Sequence, residues 1–126
     1  MTFEDLPGLT VRVDSVAYDP TRPAPPDRPH PFVYHMSIHN DSPETVSSVG
    51  RKWVVRDTEG QTMVVEGDGV VGQFPKLSPG ETFGYNSYHV IKTESTASGS
   101  FFGTTSHGRP VCTRIPAFDM HPPMYS

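Results

Sequence analysis

Apolar and polar side chains alternate with a period of two residues in several segments of this chain. The clearest segment runs from Phe32 to His39, where Phe32, Tyr34, Met36 and Ile38 are separated mostly by polar residues. Because successive side chains of a strand point to opposite faces of its sheet, this pattern predicts a strand with one core face. No stretch repeats its apolar residues with the period of an amphipathic helix, so the chain is predicted to be all-β.

Further strands are predicted between clusters of turn-forming residues. A change of parity near Ser15 predicts a β-bulge in the first strand, and Gly50 predicts a bulge or a close backbone approach in the third. The predicted strands cover residues 10–18, 32–39, 45–56, 61–66, 82–91, 98–105 and 111–115. About seven or eight strands with turn residues at this spacing are typical of an antiparallel β-sandwich.

The composition supports this fold class. The 126 residues include 14 prolines and 11 glycines, which is more than a helical bundle tolerates. A chain of this length suits one domain, which we place at residues 1–126. Within it we expect an N-terminal tail at 1–9, a proline-rich loop at 19–31 and a C-terminal tail at 119–126.

Charge and cysteine content limit the partners and the compartment. The net charge is −4 and no basic block is present, so no binding to nucleic acid is expected. The single Cys112 excludes an internal disulfide and a multi-cysteine zinc site, and it fits a reducing compartment. The acidic N-terminus lacks a signal-peptide pattern, and no apolar run approaches the ~20 residues of a membrane helix. We therefore expect a soluble cytoplasmic protein that does not contact a membrane.

The segment from Gly67 to Gly72 has the spacing of a dinucleotide-binding fingerprint, with glycines at its first, third and sixth positions. That fingerprint requires a helix directly after the glycines, whose N-terminal amides hold a pyrophosphate. Pro75 and Pro79 follow here and disfavour such a helix. We therefore predict that this glycine loop joins two antiparallel strands.

One hypothesis makes the glycine loop a phosphate site, because the N–H groups of a glycine-rich turn can converge on an anion without a helix. The alternative is that the glycines only permit positive φ angles in a tight crossing. Asp68 and Glu66 favour the alternative, since their charges repel an anion. The candidate anion-binding residues are Gly67, Gly69, Gly72, Arg51 and Lys76.

The histidines and the cysteine do not predict a metal centre or a catalytic site. His35 and His39 lie about 13 Å apart on one strand at ~3.3 Å per residue, too far for one ion. His89 would have to lie opposite one of them to form a pair, and the alternative is that all three are surface imidazoles. Cys112 and His107 are a conceivable nucleophilic pair, but a thiol within a strand is commonly buried and inert. We predict no metal, cofactor or catalytic residue.

Phe74 is the candidate anchor for a protein partner of unknown identity. It lies on a loop beside Pro75, where an aromatic side chain is either exposed for binding or packed over the end of the sandwich. Both alternatives stay open. The edges of a sandwich can also accept an added strand. The oligomeric state does not follow from the sequence.

Short motifs follow one another along nearly the whole chain. In order they are Asn40-x-Ser42, Arg51-x-Trp53, Asp57-x-x-Gly60, Gly67-x-Gly69-Val70-Val71-Gly72, Pro75-x-Leu77-x-Pro79-Gly80, Phe83-x-Tyr85-x-Ser87, Gly99-x-Phe101 and Ile115-Pro116-Ala117-Phe118. Together these motifs resemble those of the ApaG family. The resemblance implies a fibronectin type III-like, immunoglobulin-type sandwich in a bacterial protein. It also implies relatives that serve as interaction modules in eukaryotic F-box and polymerase-delta-interacting proteins.

The same resemblance implies a link to cobalt and magnesium handling and to diadenosine tetraphosphate metabolism. We expect a non-enzymatic binding or interaction module, and the connection to divalent-cation homeostasis comes from the resemblance alone. The alternative is a phosphate- or nucleotide-binding protein that uses the glycine loop. In that alternative, the role implied by the resemblance is hydrolysis of pyrophosphate or of a dinucleoside polyphosphate by this protein.

Overall fold

The computed structural model describes residues 2–69 and 73–123, which form two β-sheets packed face to face. Nine strands occur in these two ranges, and none of their residues is helical. The strands are Glu4–Asp5 (β1), Leu9–Tyr18 (β2), His30–Asn40 (β3), Val46–Asp57 (β4), Thr62–Asp68 (β5), Lys76–Leu77 (β6), Thr82–Ile91 (β7), Ser95–Thr105 (β8) and Pro110–Met120 (β9). The prediction of an all-β sandwich is confirmed.

The larger sheet has the strand order β1-β9-β8-β4-β5, with β6 also paired to β4, and the smaller sheet has the order β2-β3-β7. All neighbouring strands are antiparallel except β1 and β9, which are parallel. The strand count exceeds the predicted seven or eight because β1 and β6 have two residues each, too few to show an alternation. The described residues contain no helix with the length and apolar character that a membrane crossing requires.

Both predicted irregularities of the strands are present. The register of β2 against β3 shifts between Val13 and Ser15, which leaves Asp14 as the extra residue. The register of β4 against β8 shifts between Ser48 and Gly50. Because a one-residue bulge reverses the parity of a strand, the first bulge keeps apolar residues on the core face along the whole of β2.

The two chain ends are more structured than predicted. The last strand was expected to end at Ile115, because Pro116 has no N–H to donate, but β9 continues to the fully buried Met120. The register against β8 shifts at Pro116, and this bulge accommodates a residue without a ladder bond. At the other end, β1 and the buried Leu6 lie within the predicted N-terminal tail.

The core lies between the inner faces of the two sheets. Trp53 of β4 is the largest fully buried side chain, and its ring centre lies 5.1 Å from that of Tyr34 on β3. Tilted ring pairs of this kind stabilise a core beyond their buried area. The other buried core residues are Leu6, Leu9, Val11, Phe32, Met36, Ile38, Val46, Val55, Leu77, Ile91, Ala97, Phe101, Val111, Ile115 and Met120.

The two long sides of the sandwich differ. On one side β2 lies against β9, and the Thr113 hydroxyl donates to the Leu9 carbonyl at 3.0 Å. On the other side β5 and β7 are the end strands of their sheets, and no pairing joins them in the described part of the chain. We call this second side the open side. Its inward-facing apolar residues are only partly buried, and they are Met63, Val65, Phe83 and Tyr85.

The proline-rich loop folds back onto the outer face of the smaller sheet. The Tyr88 hydroxyl on β7 donates to the Pro23 carbonyl at 3.1 Å, and the Arg22 guanidinium lies 5.7 Å from the centre of the Tyr88 ring. Asp19 accepts hydrogen bonds from the hydroxyl and the amide of Thr21, and these bonds lower the pKa of its carboxyl. The loop is therefore held against the sheet at several points.

Candidate functional site

The glycine loop interrupts a strand. β5 pairs with β4 from Arg56 back to Gly50, and β6 pairs with the same strand at Val46 and Ser47. Between them the Ser48 amide donates to the Pro75 carbonyl at 2.9 Å. The chain thus leaves the line of β5 after Gly69 and rejoins the same side of β4 in β6. The predicted role of the glycines, to join β segments rather than to open a helix, fits this path.

The two ends of the glycine loop lie very close together. The Gly69 amide donates to the Val49 carbonyl at 3.0 Å, and Gly69 has a φ of 64°. A Cβ at Gly69 would lie 2.2 Å from the Gln73 carbonyl oxygen and 3.2 Å from the Phe74 ring. We call Val49, Gly69, Gln73 and Phe74 the loop neck. Only a glycine fits at this position of the neck without a shift of the backbone.

Arg51 holds the incoming arm of the loop. Its Nη1 donates to the carbonyl oxygens of Asp68 and Gly69, each at 3.3 Å. A Cβ at Gly67 would lie 2.7 Å from this nitrogen, so the guanidinium packs directly on the Gly67 backbone. The positively charged Arg51 side chain therefore binds carbonyl groups of the glycine loop itself.

The structure brings together three of the five residues predicted to bind an anion, namely Arg51, Gly67 and Gly69. The Gly69 amide is already bonded to Val49, and the Gly67 amide pairs with Arg51 in the ladder between β4 and β5. Two of the N–H groups that the hypothesis needs are therefore already used. Lys76 pairs with Ser47, and the pairing of β4 places Lys76 on the outer face of the sheet while Arg51 faces inward. Gly72, with Val70 and Val71, lies outside the described residues.

Phe74 is exposed. With 63% of its surface accessible it is the most exposed large apolar side chain among the described residues, and Val49 in the same neck is 40% accessible. Of the two alternatives for Phe74, the structure therefore has the exposed one. Its ring lies against the Gly69 backbone, so it is presented on a constrained segment.

A shallow groove of about 690 Å³ runs beside the loop neck on the outer side of the larger sheet. The rings of Phe3 and Phe102 pack together in its floor, with their centres 4.9 Å apart. The Lys52 Nζ lies 3.7 Å from a Glu66 carboxylate oxygen at its rim, and Asp68 adds a second carboxylate. The groove thus combines an apolar floor with two acidic and two basic residues, since Arg51 also lines it.

The histidines do not converge. His35 and His39 lie on the outer face of the smaller sheet, whereas His89 pairs with Phe32 and faces the core. The alternative in which His89 pairs with His35 or His39 is therefore wrong. No group of three or more His, Cys, Asp or Glu residues suited to hold one metal ion occurs in residues 2–69 and 73–123.

His89 is a buried imidazole in an aromatic surround. Its ring centre lies 4.6 Å from Trp53 and 4.9 Å from Tyr34, and only 6% of the residue is accessible. Its Nε2 atom has no hydrogen-bond partner among the described residues. Burial lowers the pKa of His89 from 6.5 to about 4, so the ring is neutral at physiological pH. The alternative in which all three histidines are surface imidazoles is therefore wrong for His89. Its parity with Phe83 and Tyr85 is the sequence signal that could have shown this placement.

The candidate nucleophiles are poorly activated. Cys112 is half-buried, and burial together with the nearby Asp5 carboxylate raises the pKa of its thiol. His107 instead lies 3.6 Å from Glu44. Sequence reasoning missed a contact between the hydroxyl of Ser37 and the Nε2 atom of His39 at 3.0 Å. That pair lies on the outer face of the smaller sheet.

Replacing Gly69 by alanine should lower the free energy of unfolding by about 2 kcal/mol, because the methyl group meets the Gln73 carbonyl and φ is left-handed. Gly60→Ala is the matched control. Gly60 also has a positive φ, of 84°, but a Cβ there meets nothing within 4 Å, so we expect a loss of about 1 kcal/mol. Urea unfolding of both variants measures the difference. Equal losses would contradict a tight neck.

The fold and its interrupted edge define an antiparallel-rich β-sandwich that carries a glycine loop between two segments of one edge. The model of the ApaG domain matches residues 20–105, which is more than half of the chain. The chain belongs to the ApaG family.

Relatives of this family match most of the chain. Protein ApaG of Acidithiobacillus ferrooxidans is 32% identical over 118 residues, which cover 92% of this chain and 93% of the relative. Protein ApaG of Rhodospirillum centenum is 38% identical over 116 residues, covering 91% and 87%. A crystal structure from Bordetella pertussis, of a protein given the name ApaA, matches with a TM-score of 0.81 at 31% identity, covering 98% and 100%. None of these names describes an enzymatic reaction.

Proposed function

We propose that this chain is a non-enzymatic protein-binding module that engages a partner through the loop neck. The observation that carries the proposal is the exposure of Phe74 on a constrained segment. Covering one such side chain contributes about 1.5–3 kcal/mol. Large aromatic side chains are also the groups that most often dominate protein interfaces.

The surroundings of Phe74 support a protein partner. Val49 extends the apolar surface on the neighbouring strand, and the groove beside it has an apolar floor with charged groups at its rim. Interfaces typically have this arrangement, in which an apolar centre is surrounded by polar groups. The Arg51 bonds to the loop carbonyls favour a preformed anchor, because less conformational entropy is then lost on binding.

A connection to cobalt and magnesium homeostasis belongs to the same proposal. We assign it to the partner, because the described residues bring no three or more potential ligands together for one ion. The phosphate-binding alternative finds less support, since Gly69 and Arg51 both bond within the loop. Titration with phosphate and nucleotides separates the two functions, and a shift of the Gly67 amide at millimolar ligand would favour the alternative.

Replacing Phe74 by alanine should weaken binding of the partner at least about tenfold and change the free energy of unfolding by less than about 0.5 kcal/mol. Proteins captured from the host lysate on the immobilised wild-type chain supply the partner, and its affinity is then measured with purified protein. Phe74→Tyr keeps the aromatic ring and should retain binding. Gln73→Ala changes an exposed neighbour of Phe74 and serves as the matched control. Equal affinities of the wild type and Phe74→Ala would overturn the proposal.

A further inference from the structure

We infer that the free edge of β5 takes up an extended strand of the partner, in which apolar and basic side chains alternate. This inference rests on the proposed binding function and specifies the chemistry of the partner. It concerns backbone groups of β5 that no other strand in the described ranges pairs with.

The hydrogen bonds at both ends of β5 identify its free backbone groups. The Gly69 amide donates to Val49, and the Asp57 amide donates to the Gln61 carbonyl at 2.9 Å. The register between these points has no shift, so the odd-numbered residues of β5 bond to β4. The N–H and C=O groups of the even-numbered residues point away from β4. Those of Thr62, Val64 and Glu66 have no strand beside them in the described ranges, whereas the Asp68 carbonyl already accepts from Arg51.

The free edge of β5 lacks three of the features that commonly block strand pairing. Its seven residues contain no proline and no lysine, and the register along them has no bulge. The corresponding edge of β2 lies against β9, and the proline-rich loop bonds to Tyr88 near the end of β7. On β5 the outward backbone groups of Thr62, Val64 and Glu66 form a series with no strand beside them in the described ranges.

The outer side chains of this edge select a basic partner. Glu66 and Asp68 are both exposed, and they lie on the same face as Val64, which is 52% accessible. Lys52 contacts Glu66, but no ion pair to Asp68 is found among the described residues. Pairing with a second copy of this chain would bring four carboxylates onto one face, whereas lysine or arginine on a partner strand would compensate them.

The inner side chains of the same edge select an apolar partner. Met63 and Val65 face the open side of the sandwich, where Phe83 and Tyr85 of the opposite sheet are also only partly buried. The Arg28 guanidinium of the proline-rich loop lies at one end of this surface and donates to the Met63 sulfur at 2.8 Å. A strand added to β5 extends the larger sheet over this side. Every second side chain of the added strand would then face these apolar groups, since strand side chains alternate between faces.

The edge of β5 continues to the loop neck, because β5 and β6 pair with the same side of β4 and the neck lies between them. A strand that runs past Asp68 therefore approaches Phe74. Backbone pairing along β5 and burial of Phe74 are two parts of one interface, in which the pairing supplies direction and the aromatic ring supplies an anchor.

A defined peptide tests strand addition. The probe has about eight residues with valine and lysine alternating, roughly the length of one strand. Its controls are a peptide of the same composition with the valines and lysines in separate blocks, and an alternating peptide with glutamate in place of lysine. Amide hydrogen exchange of the full chain is followed by NMR. The alternating basic peptide should slow exchange at the Val64 and Glu66 amides at least about tenfold and leave Val65 unchanged, because that amide is already bonded to β4.

Two blocking experiments complete the test. Val64→Pro removes an outward N–H without removing a bond to β4, and it should abolish the slowing, whereas Val64→Thr should retain it. Methylation of alternate backbone nitrogens of the peptide blocks pairing without any change in the protein, and it should also abolish the slowing. The peptide experiment decides the question even where Val64→Pro does not fold.

Three results would overturn strand addition. They are unchanged exchange at Val64 and Glu66 with millimolar basic peptide, equal slowing by the glutamate peptide, and slowing in the absence of peptide that grows with protein concentration. The last result would assign the edge to a second copy of the chain. A natural partner that needs Phe74 but binds Val64→Pro normally would leave the binding module standing without strand addition. A partner whose affinity is unchanged by both Phe74→Ala and Val64→Pro would contradict the proposed function itself.

Discussion

Replacing Asn40 by alanine should destabilise the protein by about 3–5 kcal/mol, because the side chain is fully buried and uses all its hydrogen-bonding capacity. Its Nδ2 donates to the carbonyls of Glu44 and Leu77 at 2.7 and 2.8 Å. Its Oδ1 accepts from the amide and the hydroxyl of Ser42 at 3.1 and 2.6 Å. Alanine would leave these groups unpaired in a site that is closed to water.

The bond to Leu77 also has a structural consequence. Asn40 ends β3 in the smaller sheet, whereas Leu77 belongs to β6 in the larger one, so this side chain links the two sheets directly. Its loss should release β6 and with it the outgoing arm of the glycine loop. Urea unfolding measures the stability, and amide exchange at Leu77 reports the local release.

Asn86→Ala is the matched control for this prediction. Asn86 lies on an exposed position of β7, and its loss should change the free energy of unfolding by less than about 0.5 kcal/mol. A loss for Asn40→Ala close to that of the control would show that neighbouring groups or water replace the buried bonds.

Acidification from pH 6.5 to pH 4 should remove about 3 kcal/mol of stability through His89 alone. Burial lowers the pKa of His89 in the folded chain from 6.5 to about 4. In this window the unfolded chain binds a proton that the folded chain does not, so the free energy of unfolding falls as the pH falls. The contribution is complete above about pH 6.5 and is lost as the pH reaches the folded pKa.

The position of His89 explains why the loss is not compensated. The surrounding rings of Tyr34, Trp53 and Phe118 offer no negative charge to a protonated imidazole. His89→Leu should flatten the pH dependence of the unfolding free energy between pH 6.5 and 4. His35→Gln, which removes an exposed imidazole, is the control and should retain the slope. Equal slopes for the wild type and His89→Leu would contradict the assignment.

Local sequence patterns predicted much of the fold because they follow from single strands and turns. The strand Thr82–Ile91 has the bounds that alternation predicts, and the bulges at Ser15 and Gly50 are visible as a parity change and a misplaced glycine. The predicted end of the last strand was wrong because Pro116 lies in a bulge. Only the pairing with β8 shows that the strand continues beyond this residue.

The candidate site depends more on contacts between distant segments. The exposure of Phe74 could not be decided from its neighbours, because a loop aromatic packs or projects according to where the loop returns. The sequence shows Asn40 only as part of the Asn40-x-Ser42 motif, since its partner Leu77 lies 37 residues away on the other sheet. The role of Arg51 as a ligand of the loop carbonyls likewise follows from the pairing of β4 with β5.

Because the loop neck holds both ends of the glycine loop on β4, the geometry of the sandwich does not depend on how long the loop is. Gly69 and Pro75 are both tied to one strand, at Val49 and Ser48. We therefore expect residues inserted between Gly69 and Gln73 to leave the register of both neighbouring segments unchanged. A foreign epitope or a reporter domain grafted there should leave the core of the scaffold intact.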